Sequence, residues 1–421
     1  MEEEKNLIED SKTPVVENKR CCKVVSTIRI AVLTFVLTIA GLFLWSHFHP
    51  QYTIMFNRSS VDYANIEKFN TIKNILEARY YKPIDENTLL EGAISGMASS
   101  LSDPYTVYFT KEQMKMFSEK TGGSYVGIGV SINLDNQGLL TIVECFEGSP
   151  TKTAGLLPGD KIIKVDDKDV TQIKDEDLII KMIKGTEGTN VKITVYRQSS
   201  NQSLDFNILR KAIKVNNIQS EVLSNKIGYI RISTFDSNIA DYFDNHLSKL
   251  LTQNIKGLII DVRNNPGGDY EQVVNIADRL LPEGLIVYTE DKNGKRSEEN
   301  SDGTELNLPM AIVVNENSAS ASEVLAGAIK DHQKGVLIGV RTFGKGLVQN
   351  VQTLKDGSGI KYTVAKYFTP SGAFIQGVGI KPDEVVELDK VYANMPISQI
   401  PHDKDAQLLA AEKAVLAQQG K

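Results

Sequence analysis

The strand-to-helix pattern of this chain is plainest in Met310-Ala-Ile-Val-Val-Asn-Glu-Asn-Ser-Ala-Ser-Ala-Ser-Glu323. Five apolar residues run to Val314, and small residues follow. The first part reads as a buried strand and the second as a helix start, with Ser320 where strand passes to helix. A helix N-terminus offers unpaired amides and the positive end of a dipole. A serine there stays a weak nucleophile near neutral pH unless a base removes its proton. Lys345 lies twenty-five residues on, in Thr342-Phe-Gly-Lys-Gly346, and Gln349 follows it by four. A lysine serves as base only after its ammonium loses the proton, which burial in an apolar pocket favours. With Gly346 to Gln349 extended, Lys345 and Gln349 share one face, and the glutamine carbonyl can hold the neutral amine. Taken singly, each segment also has a plain reading: a small-residue helix start, and a glycine turn.

Outward from this stretch the pattern repeats. Lys226–Ile232 reads as a strand, 238–252 as a helix and Gly257–Val262 as a buried strand. The turn Asn264-Asn-Pro-Gly-Gly268, a helix over 271–281, and strand-like runs at 336–340 and 361–365 complete the unit. Strands alternating with helices indicate α/β. Ser318 and Ser322 are alternative nucleophiles to Ser320. A Ser–His–Asp triad is the rival mechanism, and only His246 and His332 lie in this unit. His332 falls twelve residues beyond Ser320, about 18 Å along a shared helix. His246 sits in a polar stretch and reads as a solvated surface residue. No His-Glu-x-x-His run supports zinc hydrolysis.

Residues 122–197 differ. Short β runs at 127–132, 139–143, 161–165 and 191–196 alternate with glycine turns, and 177–184 reads as a helix. The glycines of Tyr125-Val-Gly-Ile-Gly-Val130 let backbone amides converge, and Ala154-Gly-Leu-Leu-Pro-Gly-Asp160 follows downstream. Together these resemble a PDZ domain. The resemblance implies that the loop Val126, Gly127, Ile128, Gly129 and Val130 takes a peptide C-terminal carboxylate while the following strand pairs with the peptide. Upstream, Ile66, Phe69, Ile72, Ile75, Leu76 and Tyr80 recur at helical spacing to Pro83. A second helix begins near Asp85, with Leu89, Leu90, Ile94 and Met97 on one face.

The 421 residues suffice for two or three domains. With 47 basic and 53 acidic residues there is no global basic field, which argues against nucleic acid as a partner. Cys21, Cys22 and Cys145 make neither a disulfide framework nor a zinc spacing. Cys145 reads as a small buried hydrophobe rather than a nucleophile. Ile30–Trp45 is almost continuously apolar, and extended back to Val24 it reaches about 22 residues, enough to span a bilayer. Lys19, Arg20, Lys23 and Arg29 lie on the N-terminal side, Arg29 interrupting the extended run near its start, and only Arg58 is near on the other side. This asymmetry predicts a single-pass anchor in the cell membrane, with a cytoplasmic N-terminus and an extracytoplasmic bulk. A cleaved signal peptide is the alternative.

Three ordered stretches carry a family resemblance: Asp261-Val-Arg-Asn-Asn-Pro-Gly-Gly268, Asn317 to Glu323, and Thr342-Phe-Gly-Lys-Gly-Leu-Val-Gln349. With the PDZ-like segment upstream, the chain from about Asp62 to its C-terminus resembles the carboxyl-terminal processing peptidases, or tail-specific serine proteases. The resemblance implies Ser320 as nucleophile, Lys345 as base and Gln349 as orienter of the lysine. The Ala321 amide and that of Gly267 or Gly268 are candidate oxyanion donors, because glycine lets backbone come close. Leu347 stands where the family has a small polar residue.

The expected architecture is an α/β multidomain chain. It comprises a cytoplasmic tail (1–29), a transmembrane anchor (30–46), a helical region (61–118), a PDZ domain (119–200), a serine peptidase domain with the family's ββα-superhelical, crotonase/Clp-like core (210–390) and a C-terminal helical segment (391–421). The implied function is serine endopeptidase action, without cofactor or metal, on protein substrates with exposed apolar C-termini; a homodimer is left open. The alternative is a non-catalytic PDZ scaffold carrying a degenerate peptidase domain.

Overall fold

A computed structural model describes residues 33–38, 60–135, 138–146, 148–392 and 395–419. The expected tail and most of the apolar span Ile30–Trp45 lie outside these residues. Within the span, 33–38 are helical. Among the described residues no helix is long and apolar enough to cross a membrane. The chain divides into two units at Gly92 and Ala93. In the first, the helix Ser60–Arg79 carries the expected apolar residues, and Ile66, Phe69, Ile72 and Ile75 are all exposed. The next helix, Glu86–Ser99, starts where Asp85 accepts from the Thr88 amide at 3.0 Å.

In the second unit the core of residues 218–385 is a six-stranded sheet. Its order is Ile218–Val222, Ile227–Ile232, Gly257–Asp261, Met310–Val314, Val336–Gly339 and Glu384–Val385. The first pair is antiparallel and the rest are parallel. The strands are continuously apolar because both faces are covered. Leu258, Ile260, Met310, Ile312 and Val314 join the core beneath the helices Ile239–Thr252, Tyr270–Leu280 and Ala321–Asp331. Their neighbours Ile259, Ala311 and Val313 face the other way, against Leu408, Ala411 and Val415 of the C-terminal helix Ala406–Gln419. That helix is therefore part of the core. Each fully buried Leu or Val there contributes about 1.5–3 kcal/mol.

A second, antiparallel sheet runs in the order Val107–Phe109, Gly359–Phe368, Gly284–Asp291, Arg296–Ser301, with Leu347–Thr353 also paired to Gly359–Phe368. The Gly284–Ser301 hairpin has few apolar residues and left no clear trace in the sequence.

The segment expected as a PDZ domain is built on strands ordered Val130–Leu134, Leu140–Cys145, Lys161–Val165, Asn190–Arg197 and Gln202–Leu209. It thus continues to Leu209, past the expected edge at 200. Ser149-Pro150 and Ala154-Gly155 bracket a short helix, Pro150–Ala154, with Ser149 as N-cap and Gly155 as its left-handed C-cap. Ser124–Gly127 and Lys211–Lys214 pair as a two-stranded ribbon at the base of the domain. The run 127–132 is accordingly broken at Ile128 and Gly129, and only Val130 onward joins the PDZ sheet.

Candidate active site

Ser320 is the N-cap of the helix Ala321–Asp331, at φ 56° and ψ −115°. A non-glycine residue at positive φ and strongly negative ψ is strained, and such strain gathers at functional turns. The hydroxyls beside it are committed. Ser318 Oγ donates to the Val262 carbonyl at 2.8 Å and Ser322 Oγ to the Asn265 carbonyl at 2.9 Å, and both serines are fully buried. Ser320 is partly exposed.

The turn Asn264–Gly268 lies against the serine. Ala319 N donates to the Asn265 carbonyl at 3.0 Å. Gly267, at φ 98°, comes so close that a Cβ there would stand 2.8 Å from Ser320 Cβ and 2.9 Å from Ala321 N. Only glycine permits that approach. The Gly267 amide donates to Asn265 Oδ1 at 2.9 Å and is taken. The Ala321 and Gly268 amides have no acceptor among the described residues. Of the two glycines expected to supply a donor, Gly268 is the one left free.

Glu323, fully buried in the first turn of the serine's helix, ties the lysine segment to Ser320. Its Oε2 accepts from Ser320 N at 2.9 Å and from Lys345 N at 2.8 Å. Its Oε1 accepts from Gly344 N at 2.7 Å and Thr342 Oγ1 at 2.6 Å. Phe343 N donates to the Ser318 carbonyl at 3.0 Å. On the other side the Tyr367 hydroxyl donates to the Lys345 carbonyl and, at 3.1 Å, to that of Ser320. Burial, and then the Glu323 charge, hold Tyr367 well above the ordinary phenol range, so it stays a donor. Neither Glu323 nor Tyr367 was singled out from sequence. For Glu323, the hint was an acidic residue at the third helical position after Ser320.

Lys345 is partly buried, and burial, then the nearby Lys361, lower its amine below the ordinary lysine value against the opposing pull of Glu323 and Asp103. Its Nζ lies 4.8 Å from the Tyr105 ring centroid. Among the described residues no hydrogen bond joins Nζ to Ser320 Oγ or to the Gln349 side chain. Gln349 lies on the strand Leu347–Thr353, where the pairing with Gly359–Phe368 shifts register between Val348 and Gln349. Its Nε2 donates to the Leu347 carbonyl at 3.1 Å.

The rival groups lie elsewhere. His332 caps the far end of the serine's helix, with Nε2 2.8 Å from the Leu285 carbonyl. His246 is half-buried rather than solvated: its Nδ1 lies 2.6 Å from Ser220 Oγ, and burial lowers its pKa. Cys145 lies partly buried with Sγ 3.4 Å from the Leu156 carbonyl, and burial raises its thiol pKa.

In the PDZ domain Gly129 takes φ 80°, and a Cβ there would stand 2.4 Å from Ser149 Cβ. A groove of about 350 Å³ opens beside the loop, lined by Gly127, Ile128 and Val130 together with Ile132, Ile180, Ile183 and Tyr125. Val126 lies just before it in the ribbon strand. Burial pushes the Tyr125 phenol up to about 12 against a hydrogen bond from the Val130 amide. The apolar lining comes from the strand Val130–Leu134 and the helix Glu176–Ile183, with Asp175 capping the helix.

Residues 226–386 match the family Peptidase family S41, 126–208 match PDZ domain, and 49–113 match Activating protease CtpB N-terminal domain. A protein named as a CtpA-like serine protease of Staphylococcus aureus (strain MSSA476) is 36% identical over 351 residues, covering 82% of this chain and 69% of that one. One of the same name from Staphylococcus epidermidis is 34% identical over 379 residues, covering 89% of this chain and 74% of that one. A solved structure assigned to the S41 proteases, from Bacteroides fragilis, aligns with a TM-score of 0.52 at 15% identity, covering 82% of this chain and 97% of that one. That likeness speaks to the fold.

Proposed function

This chain belongs to peptidase family S41 and is a CtpA-like serine protease with a PDZ domain, and we propose that it cleaves protein substrates with Ser320 as nucleophile and Lys345 as general base. The observation that carries this reading is the double tie between the two residues, through the Glu323 carboxylate on their amides and the Tyr367 hydroxyl on their carbonyls.

The chemistry follows from the residues. A neutral Lys345 amine swings off the Tyr105 ring and accepts the Ser320 Oγ proton as Oγ attacks the scissile carbonyl. The oxyanion that develops is met by the free Ala321 and Gly268 amides, donors fixed in advance at the place where charge appears. The Lys345 ammonium then gives its proton to the leaving amine, the peptide C–N bond breaks, and an acyl-serine remains. Water, deprotonated by the same amine, attacks the acyl group; the bond to Oγ breaks, the acid leaves, and the Lys345 ammonium returns its proton to Ser320 Oγ. Gln349 serves through its amide oxygen, which accepts from the amine once it turns, while Nε2 stays on the Leu347 carbonyl.

The PDZ groove captures apolar C-terminal tails, its loop amides meeting the carboxylate and its edge strand pairing with the peptide. The apolar run Ile30–Trp45 anchors the chain in the cell membrane, with the basic side cytoplasmic and the peptidase outside. The exposed apolar residues on the helix Ser60–Arg79 support a homodimer.

Incubation of the full-length protein with a reduced, unfolded protein bearing an apolar C-terminus tests the reading. Proteolytic fragments that vanish in Ser320→Ala are the expected result. Binding without fragments would favour the PDZ scaffold instead.

A further inference from the structure

The Lys345 amine ends against an aromatic ring from far up the chain, 4.8 Å from the Tyr105 centroid. Tyr105 belongs to the turn Asp103-Pro-Tyr-Thr106. Asp103 closes it, accepting from the Tyr105 amide at 3.0 Å and the Thr106 hydroxyl at 2.7 Å. The turn is docked on the peptidase domain. Thr106 Oγ1 accepts from Thr363 N at 3.2 Å, and Val107–Phe109 pairs with Gly359–Lys361. The ring is therefore delivered to the lysine by an anchored element.

A ring face attracts a cation and offers little to a neutral amine. The contact thus favours the ammonium, whereas proton abstraction from Ser320 needs the neutral form. We propose that Tyr105 is a positioning residue whose ring gives the Lys345 ammonium a resting seat, which the amine leaves on losing its proton to solvent and turning to Ser320 Oγ. This rests on Lys345 being the base. The other groups facing the amine are Lys361, which opposes its charge from the adjoining strand, and Glu323 and Asp103, which favour it. Tyr105 acts on the side of the carboxylates. Its ring raises the pH at which the enzyme switches on, within a site whose burial lowers it.

Two readouts on the full-length protein test this. One is the acid limb of kcat/KM against pH for the parent and for Tyr105→Phe, Tyr105→Leu and Tyr105→Met. The other needs no activity: the same substitutions in a Ser320→Ala background, with Lys345 acetylation by acetic anhydride followed against pH by mass spectrometry. Loss of the ring face should move both midpoints to lower pH by about 0.5 to 1 unit, while Tyr105→Phe matches the parent. Tyr105→Met keeps comparable volume, so a folding loss in Tyr105→Leu does not remove the test. An unmoved or raised acetylation midpoint without the ring, or a shift in Tyr105→Phe as large as in Tyr105→Leu, overturns the proposal. If the parent's acid limb ignores the acetylation midpoint, the base role of Lys345 falls, while the midpoint still decides the ring contact.

Discussion

The Ser320 and Lys345 amides donate to the same oxygen, Glu323 Oε2, at 2.9 and 2.8 Å. Residues from two segments are thereby held in register by one buried carboxylate, and the loop that carries the lysine has no freedom to drift from the serine. Four donors converge on Glu323, so Glu323→Gln must turn an amide NH2 toward at least one of them. Each buried donor left unsatisfied costs about 1–3 kcal/mol. Thermal unfolding should show that loss in Glu323→Gln, with kcat falling and KM little changed. Tyr367→Phe, which frees two carbonyls but strands no charge, should cost about 0.5–1.5 kcal/mol.

The lowered Lys345 amine predicts a pH profile. Activity requires the neutral amine, so it should fall as pH falls through the Lys345 pKa. Burial places that limb below the ordinary lysine range. Lys345→Arg keeps the charge but cannot give up its proton, and kcat should drop by about 10²–10⁴ at every pH from 6 to 10. Circular dichroism of that variant should match the parent. Gln349→Ala should leave measurable turnover, because it orients the amine and exchanges no proton. A parent-level kcat in that variant would make the glutamine incidental.

Arg263 connects the turn at the site to the C-terminal helix. It is fully buried and pairs with Asp261 at 2.6 Å and Asp405 at 2.8 Å, with Gln407 Oε1 at 3.0 Å. Asp405→Ala should destabilise the domain by about 3–5 kcal/mol, measured by urea unfolding, because it leaves part of a buried charge unmatched. Activity at low temperature should fall as well, since Arg263 immediately precedes Asn264–Gly268.

In the PDZ groove Ile180 lines the apolar wall. Ile180→Asp would bury an unpaired carboxylate against a bound apolar tail. Peptide affinity, measured by fluorescence anisotropy, should fall roughly tenfold or more, since about 1.4 kcal/mol suffices for that factor. The same peptide with an amidated C-terminus should bind the parent weakly if, as proposed, the Gly129 loop takes the peptide carboxylate.

How far the sequence could be read follows from these contacts. The core strands were legible because strands covered on both faces are continuously apolar, as in Met310–Val314. The serine and lysine were legible because each sits in a short motif next to such a strand. Glu323 stands three residues from Ser320, but its second set of partners lies across a loop, and spacing alone does not show it. Tyr105 and Tyr367 reach the lysine through sheet pairing over long separations, which leaves no local pattern. Asp405 meets Arg263 across 142 residues for the same reason. The availability of Gly268 rather than Gly267 depended on the direction of one asparagine side chain, Asn265.

Ser320, activated by Lys345, is the proposed nucleophile. Intact-protein and peptide mass spectrometry after brief exposure to a fluorophosphonate test it most directly. The expected result is one adduct, mapped to Ser320, absent in Ser320→Ala and formed far more slowly in Lys345→Arg. An adduct on Ser318 or Ser322, or labelling of Ser320 as fast in Lys345→Arg as in the parent, would contradict it.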